Sequence, residues 1–348
     1  MPLIKQCKGK RKFRQIALPA IIFLLVFLLP ISEIHASGFT DVEGDTASDV
    51  FTLSVLGIID GYPDGTFRPH HGISRAEFAK ITVTALGLEN TLDLYATAPS
   101  HFIDVKTGDW YHKYVTAAVE QGILKGYPGG VFKPNAPLLA TEALTMILRL
   151  LGYNDHLPGS WPHNYVLKAA ELGLIDTKDF TNSTATRAFV ATVLNKALDL
   201  QLVKWDNFFQ GFFPAGKTLR KNFLHGEILR EVKVFSTDNK HRRMIVISEN
   251  ENLETISLDV AGDVAILGDF SFAELKHHYV NCIIQNGTIK GIEILSTAVS
   301  GEVEAVSPYT RVVTVNGIDL VFNHSLNLPP KGKEITVYLY KDKVYLWQ

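Results

Sequence analysis

The residues best placed to bind a ligand form a short box, Ser74-Arg75-Ala76-Glu77, directly before an apolar run. Ser and Glu at this spacing are typical of a capping box, in which each side chain satisfies a backbone N–H at a helix start. Arg75 would then lie in the first helical turn, where the helix dipole disfavours a cation. A guanidinium beside free N–H groups suits a carboxylate. We therefore expect Arg75 to contact an anionic ligand, with Glu77 a cap first and a ligand contact second.

Two other patterns could carry chemistry, and both are weaker. Residues 211–218 match the phosphate-loop pattern G-x-x-x-x-G-K-T, but that loop needs a preceding strand, a following helix and a parallel sheet, none of which the sequence indicates. His277 and His278 are adjacent, so on a strand they would point to opposite faces and could not share a metal. We expect no nucleotide, no metal, no cofactor and no catalytic residue.

The box recurs within a repeated unit. Gly57 to Tyr62 reappears as Gly122 to Tyr127, at an offset of 65 residues, and Trp110 with Tyr114 reappears as Trp161 with Tyr165, at an offset of 51. Each copy predicts a helix, a turn-rich loop and a second helix with an apolar stripe. Because two helices cannot bury a core alone, we expect the copies to pack together.

The later copies depart from the first. Copy two has Leu139-Ala140-Thr141-Glu142 at the box, so it lacks the arginine, and copy three has Thr186-Arg187-Ala188-Phe189, so it lacks the glutamate. Copy three has also lost the glycine-rich turn. Since only copy one has both charged residues, we expect binding to depend mostly on copy one, with Arg187 as the second contributor.

The stretch GYPDGTFRP followed by ISRAE, residues 61–69 and 73–77, resembles the surface-layer homology repeat. The resemblance implies an all-α, pseudo-threefold bundle of three copies with ligand grooves between neighbours. It also implies non-covalent anchoring to a secondary cell-wall polysaccharide that carries pyruvate ketals, and hence a secreted protein at the cell wall or S-layer. On that basis the candidate ligand-binding residues are Arg75, Glu77, Asp41, Tyr62, Asp64, Trp110, Tyr127, Trp161 and Arg187.

Composition and the N-terminus agree with a secreted protein. Residues 1–36 read as a signal peptide with a basic start, an apolar middle and a cleavage site after Ala36; an uncleaved membrane anchor is the alternative. That segment holds six basic residues and one acidic residue, so the remainder has 28 basic and 35 acidic residues and a net charge of −7. An acidic chain argues against nucleic acid as a partner. Cys282 is the one cysteine beyond residue 36, and its apolar surroundings predict a small buried residue.

The second half changes to a period of two with Asn-Gly hairpin signals at Asn286 and Asn316. The sequence therefore predicts a multidomain chain: the signal peptide at 1–36, repeats at 37–95, 96–155 and 156–202, an aromatic linker at 203–225, and small barrel-like all-β modules at 226–298 and 299–348. We expect the linker phenylalanines to pack where the two halves meet, although an exposed patch that binds a partner is the alternative.

Three functions fit these observations. The first is a non-enzymatic envelope protein whose helical half docks on wall polysaccharide and whose β half is a spacer or interaction module. The second is a wall- or sugar-processing enzyme with its active site in the β half, targeted by the repeats. The third is a protein-assembly device whose repeats no longer bind glycan. The absence of a catalytic grouping in the sequence favours the first.

Overall fold

The fold comes from a computed structural model, which describes residues 39–248, 254–268 and 270–348. The predicted signal peptide at 1–36 lies outside the described residues. Within those ranges, no helix combines the length and the apolar character needed to cross a membrane. Helices come first and strands second, in the order that the sequence predicts.

The helical half contains one helix pair for each predicted copy. The pairs are α1 (Gly44–Val55) with α2 (Arg75–Ala85), α3 (His112–Glu120) with α4 (Ala140–Leu150), and α5 (His163–Glu171) with α6 (Arg187–Leu198). A 3-10 helix, Glu89–Tyr95, follows α2. The second helix of each copy packs on the first helix of the next copy, and α6 packs back on α1. The third pair therefore completes a closed arrangement, although its sequence is degenerate.

Local chemistry explains where the second helices begin. The Ser74 hydroxyl accepts a hydrogen bond from the Glu77 N–H at 3.2 Å, and Glu77 Oε2 accepts from the Ser74 N–H at 2.8 Å, which confirms the capping box. The Thr186 hydroxyl likewise caps α6 by accepting from the Phe189 N–H. At α4 the cap position is Leu139, which has no side-chain acceptor, so only the Glu142 half of the box remains.

The three loops before these helices are joined by a closed ring of backbone hydrogen bonds. The Ile73 N–H donates to the Ala185 carbonyl at 3.0 Å, the Ala185 N–H donates to Leu138 at 2.8 Å, and the Leu138 N–H donates to Ile73 at 2.9 Å. All three side chains are buried in one hydrophobic core. Each copy thus supplies one donor and one acceptor, and removing any copy would leave unpaired buried groups in the other two.

The β half begins with a closed five-stranded barrel. Its strands are ordered β3-β4-β5-β7-β6 and are antiparallel except for the β5/β7 pair; they are β3 (Gly226–Asp238), β4 (Arg243–Ile247), β5 (Thr255–Leu267), β6 (Tyr279–Gln285) and β7 (Thr288–Ile294). A 3-10 helix, Phe272–Glu274, precedes β6. Cys282 is fully buried in the barrel core, as predicted, and burial raises the pKa of its thiol to about 12.

A second sheet of five strands follows, ordered β10-β9-β8-β11-β12. Its members are β8 (Thr297–Ser307), β9 (Val312–Val315), β10 (Ile318–Val321), β11 (Glu334–Tyr340) and β12 (Lys343–Trp347). A single bridge between Phe322 and Val344 draws its outer strands together around a small core of its own. The Asn316-Gly317 turn joins β9 to β10, and Asn286-Gly287 joins β6 to β7, at the hairpins that the sequence predicts.

The aromatic linker is a β-hairpin, β1 (Gln201–Asp206) and β2 (Gly211–Thr218), followed by the short helix α7 (Leu219–Asn222). Residues 211–218 form strand β2 itself, paired with β1, so they are not a phosphate-binding loop. The docking prediction holds only in part. Phe212 packs on Tyr153 and Trp205, but Phe208 and Phe209 at the hairpin tip are 87% and 67% exposed.

The barrel packs directly against the first helix. A Cβ added at Gly291 of β7 would lie 2.9 Å from a methyl group of Val55, and one added at Gly226 of β3 would lie 3.5 Å from Leu56. Ile283 of β6 belongs to the same buried core as the helices. The approach to Val55 leaves no room for a side chain at Gly291, and these contacts hold the helical half and the barrel together.

The barrel meets the second sheet around a buried histidine. His278 is 3% exposed, and its Nδ1 lies 2.9 Å from the Tyr345 hydroxyl and 3.1 Å from that of Ser296. The ring also packs on Phe270 and Tyr338. Burial lowers the pKa of His278, because desolvation disfavours the imidazolium.

This burial predicts an acid-sensitive contact between the barrel and the second sheet. Because the folded-state pKa of His278 lies below its unfolded value, its stabilising contribution is present above about pH 6.5 and is lost as the pH falls below that value. We expect the free energy of unfolding to fall between about pH 7.5 and about pH 5, and His278→Gln to flatten that slope. Urea unfolding at several pH values measures this slope, with a substitution of an exposed histidine, His324→Gln, as the control. An unchanged slope in His278→Gln would show that His278 does not cause the pH dependence.

Candidate ligand-binding grooves

Arg75 reaches from copy one into copy two. Its Nε donates to the Phe132 carbonyl at 2.9 Å, its Nη1 to Glu142 Oε1 at 2.8 Å and its Nη2 to the Lys125 carbonyl at 3.3 Å. The residue is 4% exposed. The capping box fixes the first turn of α2, and the side chain leaves that turn towards the neighbouring copy.

Glu142 is the acceptor at the centre of this contact. Its Oε1 accepts from Arg75 and from the Tyr127 hydroxyl at 2.5 Å, while its Oε2 accepts from the Leu139 N–H at 3.0 Å. The Arg75 guanidinium lies over the rings of Tyr127 and Phe132, 4.5 and 4.8 Å from their centroids. Burial, and then the hydrogen bond to Glu142, raises the pKa of Tyr127 to about 12. Glu142 therefore starts α4 and neutralises the arginine of the preceding copy.

These contacts correct two sequence-based expectations. Arg75 is not free for a ligand, since each of its nitrogens has a protein acceptor. The N–H groups at the start of α2 are not free either, because Arg75 N–H donates to Ala136 and Ala76 N–H donates to Pro134. The sequence-based expectation ranked the copies by whether one box holds both the arginine and the glutamate, whereas the ion pair joins Arg75 of copy one to Glu142 of copy two.

Beside this ion pair lies a groove of about 400 Å³, which we call the 1/2 groove. Its charged lining residues are Arg75, Lys125, Glu142, Arg149 and Asp155, and Trp161 of copy three forms one wall. The Trp161 indole N–H donates to the Thr145 hydroxyl at 3.0 Å, which fixes a ring that is 54% exposed. The groove thus combines basic groups with a held aromatic face.

Two cations in the 1/2 groove share one carboxylate. Asp155 accepts from Arg149 Nη2 at 2.9 Å and forms an ion pair with Lys125. The bond from Lys125, followed by that from Arg149, lowers the pKa of Asp155 to about 2. Lys125 and Asp155 are more than half exposed, so this pair is open to exchange with an external carboxylate.

Copies three and one meet at a related contact, which we call the 3/1 contact. Arg187 Nε donates to the Phe67 carbonyl at 2.8 Å and its Nη2 donates to the Asp60 carbonyl at 2.7 Å. Its guanidinium lies over Phe67 and Tyr62. Glu77, which occupies the position of Glu142, acts on Arg187 through its charge. Its Oε2 accepts from the N–H and the hydroxyl of Ser74. The pKa of Arg187 is lowered by burial.

The remaining predicted residues lie in the repeat turns. Asp41 accepts from the N–H groups of Phe67 and Arg68 at 2.7 Å, and Asp64 accepts from Thr66 and Arg68, so both carboxylates hold the turn. Trp110 is 55% exposed and precedes α3, which packs on α2. Its place in copy two corresponds to that of Trp161 in copy three.

The sequence reasoning missed Lys125, Arg149 and Asp155. Lys125 aligns with an aspartate, Asp60, at the offset of 65, so the repeat gives no signal for a cation there. Arg149 lies on the polar edge of α4, and Asp155 lies beyond the helix end. Glu142 was visible as the counterpart of Glu77, but its partner in copy one was not.

Comparison with known proteins identifies the repeats. A sequence model described as "S-layer homology domain" matches residues 38–79 and 101–139. These two segments are S-layer homology domains. The match covers most of copy one and the part of copy two that ends where its box begins, at Leu139, and it leaves the degenerate copy three outside.

About half of the chain is also similar to proteins of the bacterial cell surface. The middle cell wall protein of Brevibacillus brevis is 36% identical over 167 residues, 48% of this chain and 16% of that protein. The surface layer protein of Brevibacillus choshinensis is 36% identical over 183 residues, 52% of this chain and 16% of that protein. An amylopullulanase of Thermoanaerobacterium thermosulfurigenes is 28% identical over 181 residues, 46% of this chain and 9% of that protein. The chain therefore spans about a sixth or less of the length of these relatives.

The inter-copy ion pair predicts an unequal cost of mutation. Arg75→Ala leaves Glu142 buried beside Tyr127 without a counter-charge, and we expect a loss of about 3–5 kcal/mol in the free energy of unfolding. The double variant Arg75→Met with Glu142→Gln removes both charges and should lose less free energy of unfolding than Arg75→Ala. Lys80→Ala breaks the exposed pair with Asp60 and should cost less than about 1 kcal/mol.

Urea denaturation of the full chain measures these three variants. A cost for Arg75→Ala no larger than that of Lys80→Ala would show that the buried pair does not join copies one and two.

Proposed function

We propose that this protein is a non-enzymatic anchoring protein, held non-covalently to an anionic cell-wall polysaccharide by its S-layer homology domains. The observation that carries the proposal is the 1/2 groove, which Lys125, Arg149 and the held ring of Trp161 line together. The domains and the surface-protein relatives agree with a location at the cell wall or cell surface. The β half is then a spacer or an interaction module.

The chemistry of the groove suits a sugar that carries a carboxylate, such as a pyruvate ketal. The carboxylate would replace Asp155 between Lys125 and Arg149, since the Lys125–Asp155 pair is exposed and exchangeable. The indole face of Trp161 would stack on the sugar ring, as an aromatic face does on apolar C–H groups. Arg75, Glu142 and Tyr127 would position these groups without leaving their own contacts.

The three copies, in this proposal, form a pseudo-threefold bundle. Support comes from the ring of hydrogen bonds through Ile73, Leu138 and Ala185 and from the packing of each second helix on the next copy. Such a bundle places an inter-copy contact at three equivalent positions. Their side chains differ, so each position would have its own affinity for an acidic sugar.

A targeted enzyme is the second candidate. The relatives include an amylopullulanase, to which 46% of this chain is similar. In the described β half the acidic side chains include Glu302 and Glu334, which face each other on the neighbouring inner strands β8 and β11 of the second sheet. Among the described residues, no group of three or more His, Cys, Asp and Glu side chains is arranged to hold a metal ion. The 1/2 groove therefore supports the anchoring function, whereas the described residues of the β half give no comparable support for an active site.

The exchange of carboxylates predicts opposite effects of two substitutions. Lys125→Ala removes a cation from the groove and should weaken binding to purified wall polysaccharide about tenfold. Asp155→Asn removes the internal competitor and should strengthen binding roughly threefold. Lys204→Ala removes an exposed lysine of the hairpin. It is the matched charge control and should leave binding to the polysaccharide unchanged.

Sedimentation with intact and pyruvate-stripped cell walls measures these affinities. The difference between Lys125→Ala and the unchanged protein should disappear on stripped walls and shrink at high salt. Equal binding of all variants to intact walls would overturn the proposed role of the 1/2 groove.

A further inference from the structure

Copies two and three enclose a groove of their own, which we call the 2/3 groove. Its volume is about 430 Å³, and it lies between the start of α4, the loop 174–185 and helix α6, with Thr46 of α1 at one side. It occupies the place between copies two and three that the 1/2 groove occupies between copies one and two. Its size is therefore conserved in the fold, while its side chains are not those of the 1/2 groove.

Each charged group that defines the ion pair of the 1/2 groove is replaced here. Ala140 stands at the position of Arg75, Phe189 at that of Glu142 and Asp176 at that of Lys125. Thr192 keeps the position of Thr145. The described residues that line the 2/3 groove include two acids, Asp176 and Asp179, and no basic side chain.

The helix start in this groove offers nothing to an anion. The Ala140 N–H donates to the Ser183 carbonyl at 2.9 Å, and the Thr141 N–H donates to Asn182 Oδ1 at 3.2 Å. The Thr141 hydroxyl also donates to Asn182 Oδ1, at 2.9 Å. With those donors occupied and the nearby acids Asp176 and Asp179 exposed, a carboxylate would meet repulsion without a counter-charge.

The lining suits an uncharged, polyhydroxylated ligand. Phe180 and Phe189 form a tilted aromatic pair with centroids 6.5 Å apart, and both are half-buried. Around this aromatic pair lie the hydroxyls of Ser183 and Thr184, which can both donate and accept, and that of Thr192, which is bonded to the Asp49 carboxylate and can still accept. The Asp179 carboxylate can accept only, and charge-assisted bonds from sugar hydroxyls suit it.

We infer that the 2/3 groove binds an uncharged sugar unit of the cell-wall glycan, stacked on Phe180 and Phe189 and hydrogen-bonded to Asp179 and the surrounding hydroxyls. This ligand class differs from the acidic sugar of the 1/2 groove. One chain would then hold acidic and neutral sugars at separate places, and part of its attachment would be insensitive to salt. The inference does not depend on the proposed role of Lys125 and Arg149.

Sedimentation of the full chain with depyruvylated cell walls tests it. The unchanged protein should bind these walls, with little change on adding salt. Phe189→Ala should weaken that binding about fivefold, by loss of aromatic stacking. Asp179→Ala should weaken this binding to a similar degree. Because Asp179 is exposed, its substitution should leave the fold intact. Lys125→Ala should leave it unchanged, and Phe209→Ala is the control for an exposed aromatic residue.

Three results would overturn the inference. The first is that the unchanged protein does not bind depyruvylated walls. The second is that Phe189→Ala and Asp179→Ala both bind as well as the unchanged protein. The third is that binding appears only when the walls are de-N-acetylated and bear free amines.

A further experiment uses peptidoglycan from which the polysaccharide has been extracted. Retained binding assigns the neutral sugar to peptidoglycan, and lost binding assigns it to the polysaccharide. The effect of Lys125→Ala is measured on intact walls. A failure of the proposed role of the 1/2 groove can therefore be distinguished from a failure of this inference.

Discussion

The helical half depends on the buried ion pair between Arg75 of copy one and Glu142 of copy two. Burying two charges is costly unless their hydrogen bonds are complete, and here the guanidinium has three acceptors and the carboxylate three donors. Such a pair is a weak source of net stability but a strict geometric requirement, since removing one partner leaves the other charge unpaired. It therefore fixes how copy one meets copy two, and with it the wall of the 1/2 groove.

The other two contacts between copies are formed by different groups. Arg187 of copy three bonds to two backbone carbonyls of copy one, and Glu77 contributes its charge. Between copies two and three, Asn182 caps the start of α4 and neither member of the ion pair is present. The backbone ring through Ile73, Leu138 and Ala185 is common to all three contacts, so side chains at the grooves could diverge while the packing of the copies persisted.

The sequence predicts well what is decided locally. The Ser74–Glu77 box, the helix pairs, the Asn-Gly hairpins and the burial of Cys282 follow from short-range chemistry or from apolar patterning. The partner of Arg75 could not be predicted in this way, because Glu142 is 67 residues away and the pairing exists only when copies pack. The packing of the aromatic linker was predicted only in part, because composition suggested burial, whereas the turn at Asp206 places Phe208 and Phe209 at an exposed hairpin tip.

The most direct measurement of this account is a crystal structure of the full chain with an oligosaccharide that carries a pyruvate ketal. The account predicts that the carboxylate lies between Lys125 and Arg149 with Asp155 displaced, that the sugar ring stacks on Trp161, and that Arg75 keeps its bond to Glu142. A carboxylate bound to Arg75 with Glu142 displaced, or a pyruvate ketal bound outside the 1/2 groove, would contradict it.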